Sequence, residues 1–221
     1  MNIGENIRDL KAELPSDVKL VAVSKFHPAN MIMEAYEVGQ RLFGESRVQE
    51  LLQKQPLLPQ DIKWHFIGHL QTNKVRQIIG KVALIESVDS VKLLELIDKE
   101  SQKCGMVTEV LMQIHVAKEE NKFGFYPDEL LEFFNNNKFE QYRSVKIRGV
   151  MGMASNTDDN NRVREDFRRI HSAYLSIKRE IGNELPDFNI LSMGMSGDWP
   201  IAVEEGSNLV RIGSSIFGSR I

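Results

Sequence analysis

Val18-Lys19-Leu20-Val21-Ala22-Val23-Ser24 is apolar at almost every position, and Lys25 follows it directly. A strand with one wet face would alternate polar and apolar residues. This one does not, so both of its faces are buried, the habit of a parallel sheet covered by helices. Similar short runs recur at Leu42–Gly44, Trp64–Gly68, Val82–Val88, Glu109–Val116, Val145–Met153, Asn189–Met193 and Leu209–Gly213.

Between these runs lie stretches of helical period. The clearest is Asp158 to Ile181, where Val163, Phe167, Ile170, Tyr174, Ile177 and Ile181 step by four and three, with Asp158 or Asp159 able to cap its start and Gly182 its end. Pro127 opens a helix over Asp128 to Asn135, Ser90 or Asp89 caps Val91 to Lys103, Pro28 starts a helix ending at Gly39, and Asn2 to Leu14 form a helix ahead of the first strand. About eight strand–helix alternations without a linker predict an α/β fold, a single (β/α)8 TIM barrel over residues 1–221 with an extra N-terminal helix. An open doubly wound sheet has the same order, but its first turn often carries a Gly-rich phosphate loop; here that turn is Ser24-Lys25-Phe26-His27-Pro28.

The 221 residues carry 28 Lys+Arg against 31 Asp+Glu, a formal charge of -3, which gives no global reason to expect nucleic acid. No apolar run approaches the ~20 residues needed to cross a bilayer. The N-terminus, with Glu5, Arg8, Asp9, Lys11 and Glu13, lacks the apolar core of a secretory signal, and the lone Cys104 can form no internal disulfide, so a cytoplasmic protein is expected. Cys104 itself reads as a small buried or half-buried residue.

In a barrel, chemistry sits where the strands end. A lysine at the point where a buried strand surfaces is partly desolvated, which favours the neutral, nucleophilic amine that condenses with carbonyl compounds; otherwise Lys25 simply reaches solvent. Ser192 to Asp198 (SMGMSGD) and Val210 to Ser215 (VRIGSS) follow the last two strands, where barrels commonly bind phosphate, and their small residues let backbone N–H groups come close. Arg211 alternates with Val210 and Ile212 and so faces into the barrel mouth, unless it forms a structural ion pair with Glu204 or Glu205. His65 and His69 are four apart with no carboxylate partner in motif and read as core or loop residues, as do the isolated His115 and His171; no metal site is expected. Asp158 to Asn161 lack the glycine and terminal glutamate of a calcium loop. Trp199-Pro200 cover or pack the phosphate loop.

Val23-Ser24-Lys25, Phe43-Gly44-Glu45, Trp64-His65-Phe66-Ile67-Gly68 with Leu70-Gln71-Thr72-Asn73-Lys74, Asn121-Lys122-Phe123-Gly124, Ser192-Met193-Gly194-Met195-Ser196, and Val210-Arg211-Ile212-Gly213 with Ile216-Phe217-Gly218 together resemble the pyridoxal-phosphate homeostasis protein family (the YggS/PROSC group), from about Val18 to the C-terminus. The resemblance implies a barrel of the alanine-racemase type (PLP fold type III) that holds pyridoxal 5'-phosphate (PLP) as an internal aldimine on Lys25. It implies that Ser196, Gly197, Gly213 and Ser214 hold the phosphate and that Arg211 faces the pyridine nitrogen. Lys122 falls on a lysine common in the family. Where the family usually has Asn-Tyr after Phe-Gly-Glu, this chain has Ser46-Arg47.

The implied function is a monomeric carrier that buffers PLP or delivers it to PLP-dependent apoenzymes, with no catalytic residues. The alternative is a PLP-dependent amino-acid racemase, which needs an acid–base partner for the lysine. In that fold the partner is a tyrosine from outside the barrel, and Tyr36, Tyr126, Tyr142 and Tyr174 all lie in or beside helices. The final strand also ends so near Ile221 that no extra β-domain is expected. A barrel aldolase using Lys25 on a sugar phosphate is a third reading.

Overall fold

The computed structural model describes residues 2–116, 123–181 and 183–218; Lys122 and Gly182 lie outside them. After α1 (Ile3–Glu13) come β1 (Lys19–Val23), α2 (Ala29–Glu37), β2 (Leu42–Glu45), α3 (Val48–Lys54), β3 (Lys63–Phe66), α4 (Val75–Ile78), β4 (Leu84–Val88) and α5 (Val91–Lys103). The second half runs through β5 (Thr108–Ile114), α6 (Pro127–Asn135), β6 (Val145–Gly152), α7 (Asn160–Ile181), β7 (Ile190–Ser192), α8 (Trp199–Glu204), β8 (Leu209–Ile212) and α9 (Ser214–Phe217). The strands pair in chain order and close into a barrel. Every pairing is parallel, and β8 returns to β1 with Leu20 opposite Val210 and Val21 opposite Arg211.

Alternation along each strand separates two apolar layers. Leu20, Ala22, Phe43, Val210 and Ile212 join the large core between sheet and helices, whereas Leu84, Leu111 and Met151 pack together inside the barrel. The parity places Val21, Val23 and Arg211 inside. In β6 a shift of register between Val110 and Leu111 of β5 falls at Gly149. Its φ is +149°, and a Cβ there would lie 1.9 Å from the Ile190 carbonyl oxygen, so only glycine passes.

Helix starts follow the capping chemistry. Asn2 Oδ1 accepts the Glu5 N–H, Ser90 Oγ accepts that of Leu93, and Asp159 Oδ1 accepts those of Asn161 and Arg162. α1 packs on α2 and α9, and its Asn6 amide donates to the Ile216 carbonyl at 2.9 Å. Cys104 departs from expectation. It is exposed, because α5 ends there and the chain turns away through Gly105 at φ +64°. Among the described residues no helix is long and apolar enough to cross a membrane.

Candidate functional site

Lys25 lies two residues beyond β1, half-buried, in the tight turn Ser24–His27 that the His27 N–H closes on the Ser24 carbonyl at 3.1 Å. Phe26 adopts φ +69°, a left-handed conformation that costs a residue with a side chain about 1–2 kcal/mol. The turn is therefore held by its surroundings. The His27 ring stacks on Phe217 with centroids 5.1 Å apart, and the Arg47 guanidinium lies 4.7 Å from the Phe26 ring centre. Burial, with the nearby Lys54 ammonium, keeps the His27 imidazole below its ordinary pKa against the pull of Glu50.

Lys25, Ser196, Gly197, Arg211, Gly213 and Ser214, drawn from the ends of β1, β7 and β8, all line one cavity of about 270 Å³. That volume is near the lower end of small-molecule pockets, about 300 Å³. Arg211 is buried and points inward as its strand parity requires. Its Nη2 donates to the Gly152 carbonyl at 3.0 Å and its Nη1 to Ser192 Oγ, while Glu86 Oε2 lies 3.6 Å from Nη1. Ser192 Oγ donates to Glu86 Oε2 at 2.6 Å, and His65 Nδ1 lies 2.6 Å from Oε1. Burial pushes the Glu86 carboxyl up, but His65, Arg211 and Ser192 outweigh it and hold the group below its ordinary value. Burial lowers the Arg211 guanidinium, opposed by Glu86 and Asp198.

In the two small-residue loops, Ser196 Oγ accepts the Gly213 N–H at 3.1 Å and that of Ser215 at 3.5 Å, so both backbone donors face Ser196. Gly194 makes the first turn. At φ +92° an added Cβ would come within 2.7 Å of Ala202 Cβ and 2.9 Å of Trp199 Cα, so Trp199 packs this loop. Asp198 Oδ1 ties the loop down by accepting the Met195 N–H, and burial raises its carboxyl despite that bond and Arg211. A Cβ built on Gly197 meets nothing within 4 Å. The amine, the inward guanidinium and the open glycine–serine backbone fit a small ligand with a carbonyl, a ring nitrogen and a phosphate.

The structure supplies partners that the sequence left open. Glu204 and Glu205 pair with Arg164, and Glu205 also with Arg168, all outside the barrel, so the partner of Arg211 is Glu86 instead. His65 and His69 do have carboxylate partners, Glu86 at 2.6 Å and Asp89 at 2.8 Å. No group of three metal-ligating residues occurs among the described residues. Sequence reasoning missed Glu86, although a glutamate sharing strand parity with Leu84 in an apolar run was a visible signal. It also missed Lys54, whose Nζ reaches Glu45 Oε1 at 2.7 Å and Glu50 Oε1 at 2.6 Å. None of the four tyrosines lines the cavity; Tyr36 instead donates to Asp61 Oδ1 on the surface at 2.7 Å.

A family model described as the alanine racemase N-terminal domain matches residues 1–221. A pyridoxal phosphate homeostasis protein of Aquifex aeolicus is 41% identical over 203 residues, covering 91% of this chain and 87% of its own. Its human namesake is 38% identical over 237 residues, covering 99% and 84%. The structure of Synechococcus elongatus PipY with PLP bound superposes with TM-score 0.88 at 36% identity, covering 98% of this chain and all of that one (100%). Alanine racemase of Bartonella henselae, with covalently bound pyridoxal phosphate, shares the fold at TM-score 0.74 and 19% identity, over 99% of this chain and 59% of its own.

Proposed function

Since the chain belongs to the pyridoxal phosphate homeostasis protein family, we propose that it binds PLP in the cavity at the barrel mouth, attached through Lys25, and buffers or delivers it rather than turning over a substrate. One observation carries this reading: the lysine, the buried arginine and the two small-residue loops, scattered over the sequence, line a single cavity. Bound there, the cofactor would supply a reactive aldehyde and a conjugated ring. Ser196, Gly197, Gly213 and Ser214 would hold the phosphate, and Arg211 the ring nitrogen. A guanidinium keeps its proton, so Arg211 can bind that nitrogen without protonating it, and the ring is left a weak electron sink. No tyrosine in the cavity offers the second acid–base group of a racemase.

We place the protein in the cytoplasm, as a monomer whose recipients are PLP-dependent apoenzymes; the single cysteine supports that setting. Borohydride treatment of PLP-loaded protein should fix the cofactor on the Lys25 peptide and quench a violet or near-ultraviolet band. The Lys25→Ala variant should lose both. A colourless wild type that ignores added PLP overturns the proposal, and robust racemisation of common amino acids overturns the carrier reading.

A further inference from the structure

The two peptide groups that flank Lys25 are held by a polar cluster on the other wall of the sheet, between the barrel and α3. Glu45 shares β2 parity with Phe43, which packs against the helices, and its carboxylate is buried there. Lys54, at the end of α3, is 8% exposed. Its ammonium donates to the Ser24 carbonyl at 2.9 Å, to Glu45 Oε1 at 2.7 Å and to Glu50 Oε1 at 2.6 Å. Glu50 Oε1 in turn accepts the Phe26 N–H at 2.6 Å, and Ser24 Oγ donates to Glu45 Oε1 at 2.6 Å.

The Ser24 carbonyl belongs to the peptide entering Lys25, and the Phe26 N–H to the peptide leaving it. One buried ammonium thus anchors the first directly and the second through a single carboxylate. The arrangement has work to do, because the peptide it holds belongs to Phe26 at φ +69°, a conformation that relaxes unless the surroundings dictate it. The bonds are charge-assisted, and those from Lys54 to the Ser24 carbonyl and to Glu45 are buried, the class that best resists rotation of a peptide plane.

We propose that Lys54 and Glu50 are positioning residues for Lys25. They set the direction from which its amine approaches a carbonyl in the cavity, while leaving the residues that grip the rest of the ligand untouched. This rests on the proposal that Lys25 carries PLP. In the step concerned, the neutral Lys25 amine attacks the aldehyde carbon, and the aldehyde oxygen leaves as water when the carbon–nitrogen double bond forms. Misalignment of the amine slows that step, since attack tolerates little angular error. It does not alter how phosphate and ring nitrogen are held.

The experiment separates those two quantities. Purified wild type, Lys54→Met and Glu50→Ala are mixed with PLP, and growth of the absorbance band is followed by stopped flow. Binding of 4-deoxypyridoxine phosphate, which has the ring and phosphate but no aldehyde, is measured by calorimetry. Both variants should form the band roughly tenfold to a hundredfold more slowly, the range for losing one charged hydrogen bond, with affinity for the aldehyde-free analogue unchanged within about twofold. Folded variants that form the band at the wild-type rate overturn the inference. So does a loss of analogue affinity in proportion to the loss of rate, which marks a merely structural role. If Lys54→Met does not fold, Glu50→Ala decides alone, since it leaves Lys54 bonded to Glu45 and Ser24. A wild type that forms no band refutes the PLP reading itself, a result distinct from either.

Discussion

Glu45 on β2 and Glu86 on β4 are both completely buried, yet their surroundings push them in opposite directions: burial raises the Glu45 carboxyl above its ordinary value, while Glu86 is held below. The difference lies in how partners are shared between the two oxygens. Glu86 uses both, Oε1 toward His65 and Oε2 toward Ser192 and Arg211. Glu45 takes Lys54 and Ser24 on Oε1 alone, and among the described residues its buried Oε2 has no hydrogen-bond partner. A buried charge is tolerated only as far as its lone pairs are satisfied. Glu86 is thus a committed anion at the centre of the barrel, and Glu45 a reluctant one on its outer wall.

The largest effect is expected from Glu86→Gln. It strands the buried Arg211 guanidinium, which cannot shed its proton, and should cost about 3–5 kcal/mol in urea unfolding, the usual penalty for breaking one half of a buried pair. Lys54→Met breaks the other cluster but leaves Glu45, a group already disposed to take up a proton. That escape limits the loss to about 1–3 kcal/mol, the cost of an unsatisfied buried group. Equal losses in the two variants would erase the distinction between the carboxylates.

The pH dependence of stability sharpens the same contrast, because the two signs are opposite. The native value of Glu86 lies below the ordinary 4.5, so the native state binds fewer protons than the unfolded chain. Its contribution is complete above about 4.5 and is lost as pH falls through the depressed native value. The stability difference between wild type and Glu86→Gln should therefore shrink on acidification. Glu45 has its native value above 4.5, so its contribution is present below 4.5 and disappears as pH rises through the raised value. The difference between wild type and Glu45→Gln should accordingly move against Glu45 as pH rises. Denaturation midpoints from pH 3 to 8 for the three proteins read both signs, and parallel curves would refute the assignment.

How much of this was legible depends on whether the information was local. The double burial of Leu20–Ser24, the period of Asp158–Ile181 and the inward parity of Arg211 each follow from steric rules that act over a few residues, and the barrel follows from repeating them. The partner of Arg211 does not. Glu204 and Glu205 are near it in sequence, but α8 turns them toward Arg164 and Arg168, while Glu86 arrives from β4 across the interior. Closure of the barrel creates that contact, so nothing short of the register of the whole sheet reveals it. Lys54 was hidden for a related reason. With Glu50 it reads as an ordinary i,i+4 pair on a wet helix face, and only the packing of α3 over the end of β1 makes it a buried anchor.

The smallest effect belongs to Arg47. Its guanidinium lies over the Phe26 ring at 4.7 Å, on the solvent side of the turn that Lys54 anchors from within. An exposed cation–π contact contributes about 0.5–1 kcal/mol, and Arg47→Ala should lower stability by no more than that. Phe26 is 41% exposed, and its backbone stays tied through Glu50. Arg47→Ala should therefore leave the rate of PLP attachment within about twofold of wild type, a change smaller than ~0.5 kcal/mol in the barrier. Stopped-flow measurement alongside Lys54→Met makes the comparison direct. If Arg47→Ala slows attachment as much as Lys54→Met, the turn is held by the stack on its surface, and the buried ammonium is not what aims Lys25.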